Sequence, residues 1–215
     1  MRPLVIGANG QIGRQLISQL PLSGHHCTAM VRSNDQFQQL EERGIAAVRA
    51  SLSDSVEHLT KIMQGHDSVI FTAGSGAKTG ADQTLLIDLD GAVKAMEAST
   101  QAGIEHFVMV SAIGAHRRER WNEALKAYYV AKHYADKELI RSGLNYTIVR
   151  PGRLSNEPAS GKVLVASDIC QEGSIARADV AAVICTVLGD KRFYAHSFDL
   201  LAGRDNIQQA LEAIL

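Results

Sequence analysis

Leu4-Val5-Ile6-Gly7-Ala8-Asn9-Gly10-Gln11-Ile12-Gly13 decides how the rest of the 215-residue chain is read. The first three residues are an apolar run of the kind buried on both faces in a parallel sheet. Glycines follow at spacing G-x-x-G-x-x-G, and Ile12, Leu16, Ile17 and Leu20 then take up a helical period. Strand, glycine turn and helix in this order place main-chain N–H groups and a helix N-terminus against a pyrophosphate. Gly7 allows the tight turn, Gly10 a close phosphate approach, and Gly13 the packing of helix against strand. A glycine-rich connection that binds nothing is the alternative, and the position directly after the first apolar run argues against it.

The composition narrows the class. Hydrophobic residues make up 46% and charged residues 21%, enough for a sizeable core in one generous domain. A net charge of −1 lacks the surplus Lys and Arg of a nucleic-acid footprint, so no nucleic-acid partner is expected. No apolar run approaches the roughly 18 residues needed to span a bilayer. With the first strand so near Met1, no signal or transit peptide is expected, and the location is read as cytoplasmic. Cys27, Cys170 and Cys185 read as reduced core thiols, and the eight histidines show no metal-ligand spacing, so no metal is predicted.

After a first helix over residues 11–20, Pro21 and the Leu22-Ser23-Gly24 turn lead into a second strand over 25–31. The His25-His26 pair at its entry reads as a strand-entry feature. Arg32 stands where this strand ends. In dinucleotide folds an acidic residue there takes a ribose 2′-hydroxyl, whereas Arg accommodates a 2′-phosphate. Arg32-Ser33, with no acid before Asp35, favours NADP, with NAD the alternative. A short helix (36–43) and a third strand (45–48) follow, and Ser53 or Asp54 is the predicted N-cap of a helix running to residue 63. A fourth strand (67–73) runs into the loop Gly74-Ser75-Gly76-Ala77-Lys78-Thr79-Gly80, a ligand-side feature or a mobile connector.

Leu85, Leu89, Val93 and Met96 mark one face of a long helix ending near Gly103, and a fifth strand (106–111) finishes on Ser111. Arg117, Arg118 and Arg120 form a charged segment that reads first as a solvated face and second as an anion trap. A helix through residue 141 carries Tyr128, Tyr129, Lys132 and His133, and a sixth strand (146–150) stops at Pro151-Gly152. Residues 162–166 and 197–201 read as short strands, with an amphipathic helix between them and another at the end. Six alternations of strand and helix predict an α/β fold with a doubly wound parallel sheet, one domain over residues 1–215. Within it, 151–215 contribute a small substrate-side lobe.

Tyr128 and Lys132 lie four apart on one helix face. A phenol is a poor acid–base catalyst near neutrality, and a nearby ammonium favours its ionised form. Ser111 is positioned to orient a substrate oxygen or to cap the loop that follows.

These features together resemble the short-chain dehydrogenases/reductases, and most of all their small atypical branch of NAD(P)H-binding, epimerase-like, flavin-reductase-like and dinucleotide-sensor proteins. The likeness rests on residues 7–13, Arg32, Ala73-Gly74, Val110-Ser111, Tyr128-x-x-x-Lys132 and Arg150-Pro151-Gly152. It implies that the turn, Gly7, Asn9, Gly10, Gln11, Ile12 and Gly13, binds the dinucleotide, with the Gly10 to Ile12 backbone on the pyrophosphate. Arg32 with Ser33 would take the 2′-phosphate, Ser51 and Leu52 flank the adenine, and Ala73, Gly74 and Ser75 the adenosine ribose region. Pro151, Gly152 and Arg153 would meet the nicotinamide end. Lys132 would bond the nicotinamide ribose and lower the pKa of Tyr128, which passes the proton accompanying hydride transfer, with Ser111 beside it.

Ser51 stands where many members carry Asp, and Ala112 where many carry a second hydroxyl. The expected activity is NADPH-preferring reduction of a small carbonyl, quinone or flavin-like acceptor by a monomer or homodimer with no membrane partner. The alternatives are a non-catalytic redox sensor and an epimerase or dehydratase holding NAD tightly.

Overall fold

In the computed structural model, which describes residues 1–76 and 79–215, the opening apolar run is β1 (Pro3–Ile6), buried along its whole length. Ala77 and Lys78 of the glycine-rich loop lie outside the described residues. Successive side chains of a strand point to opposite faces, and β1 follows that rule into two separate cores. Val5 joins one core; Leu4 and Ile6 join the other.

The helices divide accordingly. On the Val5 face lie α1 (Gln11–Gln19), α7 (Arg177–Val187) and α8 (Ile207–Glu212), through Ile12, Leu16, Val180, Ile184 and Leu211. On the other face lie α3 (Val56–Met63), α5 (Gly91–Ala102) and α6 (Lys126–Arg141), through Leu59, Met63, Ala95, Met96 and Leu139. Helix α2 (Asn34–Glu41) packs Phe37 and Leu40 against the first core.

The strands are β2 (Thr28–Val31), β3 (Ala47–Arg49), β4 (Ser68–Phe71), β5 (His106–Val110), β6 (Tyr146–Pro151), β7 (Arg153–Ser155), β8 (Lys162–Ala166), β9 (Ser174–Ala176), β10 (His196–Ala202) and β11 (Asp205–Asn206). They form a nine-stranded sheet in the order β3-β2-β1-β4-β5-β6-β10-β8-β11, while β7 and β9 pair separately. The sheet is parallel from β3 through β10, and β8 and β11 add antiparallel at its edge. The predicted doubly wound α/β sheet is therefore the fold. From β1 the chain winds outward to β3, then returns to lay β4 on the other side of β1. That reversal opens a crevice at the carboxyl ends of β1 and β4.

Three local readings change. The N-cap of α3 is Ser55, whose hydroxyl accepts the His58 N–H, and neither Ser53 nor Asp54. Asp54 instead accepts the Ser51 N–H at 2.8 Å. The long helix before Gly103 is interrupted: α4 (Ala81–Gln83) leads into a π-helical segment, Thr84–Asp90, and only then into α5. Within it Leu85 and Leu86 face out at 49% and 54% exposure, while Thr84 and Asp88 turn inward. Finally, β2 begins after the His25-His26 pair, and His25 Nδ1 lies 3.1 Å from the N-terminal amine.

Candidate functional site

The turn after β1 is built so that only glycine fits at two of its three positions. Gly7 has φ +87°, and a Cβ there would lie 2.7 Å from Ala73 N. A Cβ on Gly13 would lie 2.3 Å from Gly7 O. Gly10 is the N-cap of α1, with its N–H donated to Gly7 O at 2.9 Å.

Helices α2, α3 and α8 have side-chain caps from Ser33, Ser55 and Asn206; α1 has none, and no acidic residue sits in its first turn. The first-turn N–H groups of Gln11, Ile12 and Gly13 have no intrahelical acceptor, and the positive end of the helix dipole lies with them. A closely packed glycine turn and an uncapped helix N-terminus fit an anionic dinucleotide. Asn9 Oδ1 accepts both Nε and Nη2 of Arg14, at 3.2 and 2.8 Å, which fixes that guanidinium beside the turn.

The remaining residues expected on the adenosine side gather at the carboxyl ends of β1 to β4. Arg32 is exposed just beyond β2, with no carboxylate paired to it among the described residues. Ser33 Oγ is engaged as the α2 cap. Ser51 shares a hydrogen bond with Ser53, and Leu52 is buried against Gly91, its carbonyl accepting Lys94 Nζ at 2.7 Å. Ala73, Gly74 and Ser75 follow β4 directly beside Gly7, because the Thr72 N–H donates to Ile6 O at 2.9 Å.

The second half of the site hangs on Asp88, a residue the sequence reading passed over. Its Oδ2 accepts the Ser75 N–H at 2.9 Å, and its Oδ1 lies 3.2 Å from Lys132 Nζ. Both side chains are almost fully buried. Lys132 also donates to Val110 O at 3.3 Å, and its Nζ lies 5.8 Å from the Tyr128 ring centre. One carboxylate thus joins the loop after β4 to the helix carrying Tyr128. The signal in the sequence was a lone acid inside the apolar run Leu85-Leu86-Ile87-Asp88-Leu89.

Burial alone would lower the Lys132 ammonium's pKa; the facing oxygens of Tyr128 and Asp88 outweigh burial and hold it raised. Burial lifts the Tyr128 phenol above its ordinary value. Lys132 pulls against that, while Asp88, Tyr129 and Asp136 add to it. In this environment the phenol is therefore raised, although the expectation from Lys132 alone was a lowered value. Ser111 is 3% exposed, and its Oγ has no partner among the described residues, an unsatisfied hydroxyl beside the Lys132–Val110 contact.

The nicotinamide-side candidates sit at the end of β6. Pro151 O accepts the Ile113 N–H at 3.0 Å. Gly152 is closely packed: a Cβ there would lie 2.3 Å from Leu201 Cδ2 and 2.6 Å from Gly173 O. Arg153 is exposed, with its N–H on Gly173 O. Behind them Arg150 donates from Nε to Asp136 Oδ2 at 2.8 Å, a buried pair that locks β6 to α6.

A further polar cluster was invisible to spacing. His116 Nε2 lies 3.3 Å from Asp168 Oδ1, and His116 Nδ1 lies 3.9 Å from the buried Asp199. Arg117 and Arg120 both pair with Asp168, so two of the three arginines of that charged segment tie loops together instead of facing solvent unpaired. Each ring nitrogen faces a different carboxylate, and guanidinium groups occupy Asp168. Burial pushes Asp199 up to about 6. Burial and Arg150 lower His116, with Asp168 opposing them.

The likeness to known proteins runs through these same elements. A family model described as NAD(P)H-binding matches residues 7–191. An uncharacterized sugar epimerase, YhfK of Bacillus subtilis (strain 168), is 52% identical over 215 residues that span 100% of both chains. The solved structure of a Bacillus halodurans protein, provisionally named an NAD-dependent epimerase/dehydratase, is 42% identical and covers 100% of each chain with a TM-score of 0.94. The oxidoreductase ylbE from Lactococcus lactis is 29% identical, with a TM-score of 0.88 over 99% of this chain and 96% of that one. With the family model running from the glycine turn through α7, and whole-chain likeness in sequence and fold, this chain belongs to the NAD(P)H-binding family.

Proposed function

We propose that the protein is an NAD(P)-dependent oxidoreductase, preferring NADPH, that reduces a small carbonyl, quinone or flavin-like acceptor with Tyr128 handling the proton. The observation that carries this reading is the buried Lys132 ammonium beside the Tyr128 ring, tied through Asp88 to the loop next to the glycine turn. The bound dinucleotide supplies the hydride. The amides of Gly10, Gln11 and Ile12 hold its pyrophosphate, and Arg32, free of carboxylate partners among the described residues, takes the 2′-phosphate with Ser33.

Ser51, Leu52 and the Ala73 to Ser75 loop line the adenosine end, and Pro151, Gly152 and Arg153 the nicotinamide end. Lys132 bonds the nicotinamide ribose. The Ser111 hydroxyl, without a partner among the described residues, orients the acceptor's oxygen. As hydride reaches the acceptor carbon, the Tyr128 O–H bond breaks, the proton forms the product O–H, and solvent reprotonates the phenolate.

The acceptor is small because few residues remain to enclose it. Residues 151–215 supply the substrate-side lobe, yet β8, β10 and β11 are used as sheet and α7 and α8 as its cover. That leaves β7, β9 and their loops for the substrate, too little to wrap a nucleotide sugar. Tyr128→Phe, assayed with NADPH and a carbonyl acceptor, is expected to lose about 100-fold or more in kcat with NADPH affinity retained. Full turnover in that variant refutes the proton role.

The names of the Bacillus relatives favour a second reading, an epimerase or dehydratase that holds NAD throughout its cycle. NAD that co-purifies and resists dialysis would support it. A third, a redox sensor without turnover, draws on Ala112 in the place of a second hydroxyl; NADPH that binds but stays unoxidised across a broad acceptor panel would favour it.

A further inference from the structure

The ammonium of Lys132 is not free to act on Tyr128 alone. Asp88 Oδ1 faces it at 3.2 Å with no aligned hydrogen bond, and Asp88 Oδ2 is spent on the Ser75 N–H. The carboxylate is 1% exposed and enters from the π-helical segment. A Cβ on Gly74 would lie 3.0 Å from Asp88 Oδ1, so the loop lies close against it.

Charged and titratable groups facing Tyr128 are therefore Lys132, Tyr129 and Asp136 from its own helix and Asp88 from the π-helical segment. A lone buried ammonium would favour phenolate, the form that accepts a proton. An ammonium neutralised by a buried carboxylate leaves the phenol protonated.

We infer that Asp88 is a positioning residue that offsets the Lys132 charge and so keeps Tyr128 poised as a proton donor, biasing the site toward reduction over oxidation, while its second oxygen holds the Ser75 loop in place. This rests on Tyr128 being the proton-handling group, and the test separates the two ideas because its first readout needs no turnover.

Asp88→Asn keeps the shape and an acceptor for the Ser75 N–H but removes the charge; Asp88→Ala removes both. In the full-length protein, the Tyr128 phenol is titrated by ¹³Cζ-tyrosine NMR, with Tyr128→Phe identifying the resonance. Asp88→Asn is expected to lower that titration by about one pH unit. The alkaline limb of the kcat profile for NADPH-dependent reduction is expected to move down with it.

NADPH affinity is expected to hold in Asp88→Asn and to fall in Asp88→Ala. A Tyr128 titration unchanged in Asp88→Asn overturns the inference, whatever the activity does. Should Asp88→Asn fail to fold because it strands the ammonium, wild type is compared with Lys132→Met/Asp88→Asn, which removes both charges together. Because the two charges offset each other at Tyr128, its titration is expected to stay within about half a pH unit of wild type, and a larger shift refutes the inference equally. If the shift is seen but Tyr128→Phe turns over normally, the charge relation stands and the catalytic reading fails.

Discussion

Gly13 and Gly10 belong to one motif but carry different loads, and a pair of alanine substitutions separates them. At Gly13 an added Cβ would meet Gly7 O at 2.3 Å, Ala8 Cα at 2.7 Å and Ala8 O at 2.8 Å. All three are backbone atoms of the turn, so no side chain can swing aside. Ordinary contact begins near 3.4 Å, so α1 would have to back away from β1 by about 1 Å. Leu16 and Ile17 of that helix are packed in the core against α7, and Gln19 Nε2 donates to Ala178 O at 3.2 Å, so the retreat would loosen a second helix as well.

Overpacking of this kind costs on the order of 3 kcal/mol. In a chain of this size that lowers Tm by about 6–12 °C. Gly10 has φ −70°, open to alanine, and a Cβ there meets only Gly7 O, at 3.0 Å. Gly10→Ala is therefore expected to keep its Tm within about 2 °C and to lose NADPH affinity, because the methyl group obstructs phosphate approach to the helix amides. Calorimetry and fluorescence titration of NADPH on both variants read the two effects. A Gly13→Ala protein as stable as wild type, or a Gly10→Ala protein that binds NADPH unimpaired, would refute this account of the turn.

Two further outcomes are expected. Arg32→Ala should weaken NADPH about tenfold or more while sparing NADH; equal losses in parallel titrations would remove the 2′-phosphate role. Asp199, raised from 3.8 to about 6 by burial, holds a proton in the fold that the unfolded chain has already released near pH 5. Its contribution to stability is full below about 3.8 and is lost as pH rises through about 6. Asp199→Asn should therefore gain on wild type by on the order of 2–3 kcal/mol between pH 4 and pH 8 in denaturant titrations. A gap that does not widen with pH would show the carboxyl to be unperturbed.

What could be read in advance, and what could not, divides by the range of the interactions involved. The opening turn was legible because strand, glycines and helix are contiguous, and their geometry answers to neighbours in sequence: Gly10 N–H to Gly7 O, Gly13 against Gly7. The order of elements followed from alternating periods, since each strand must feed two cores, as Leu4, Val5 and Ile6 do. The cap of α3 was misplaced because Ser53, Asp54 and Ser55 are all competent caps. Which of them ends the loop depends on Asp54 turning back to the Ser51 N–H.

The π-helical segment escaped for a deeper reason. Leu85, Leu89, Val93 and Met96 satisfy a regular helix, and only tertiary demand reveals the extra residue. The segment buries Asp88, whose desolvation is offset because the Lys132 ammonium and the Ser75 N–H are waiting for it. The same holds for Arg150 with Asp136, both buried and joined by a hydrogen bond. Each is a charged residue that composition alone assigns to the surface, held inside by a partner between 13 and 44 positions away in the sequence. Buried charge of that kind is stable only as a set, so its members become legible only together, once the fold has brought them within reach of one another.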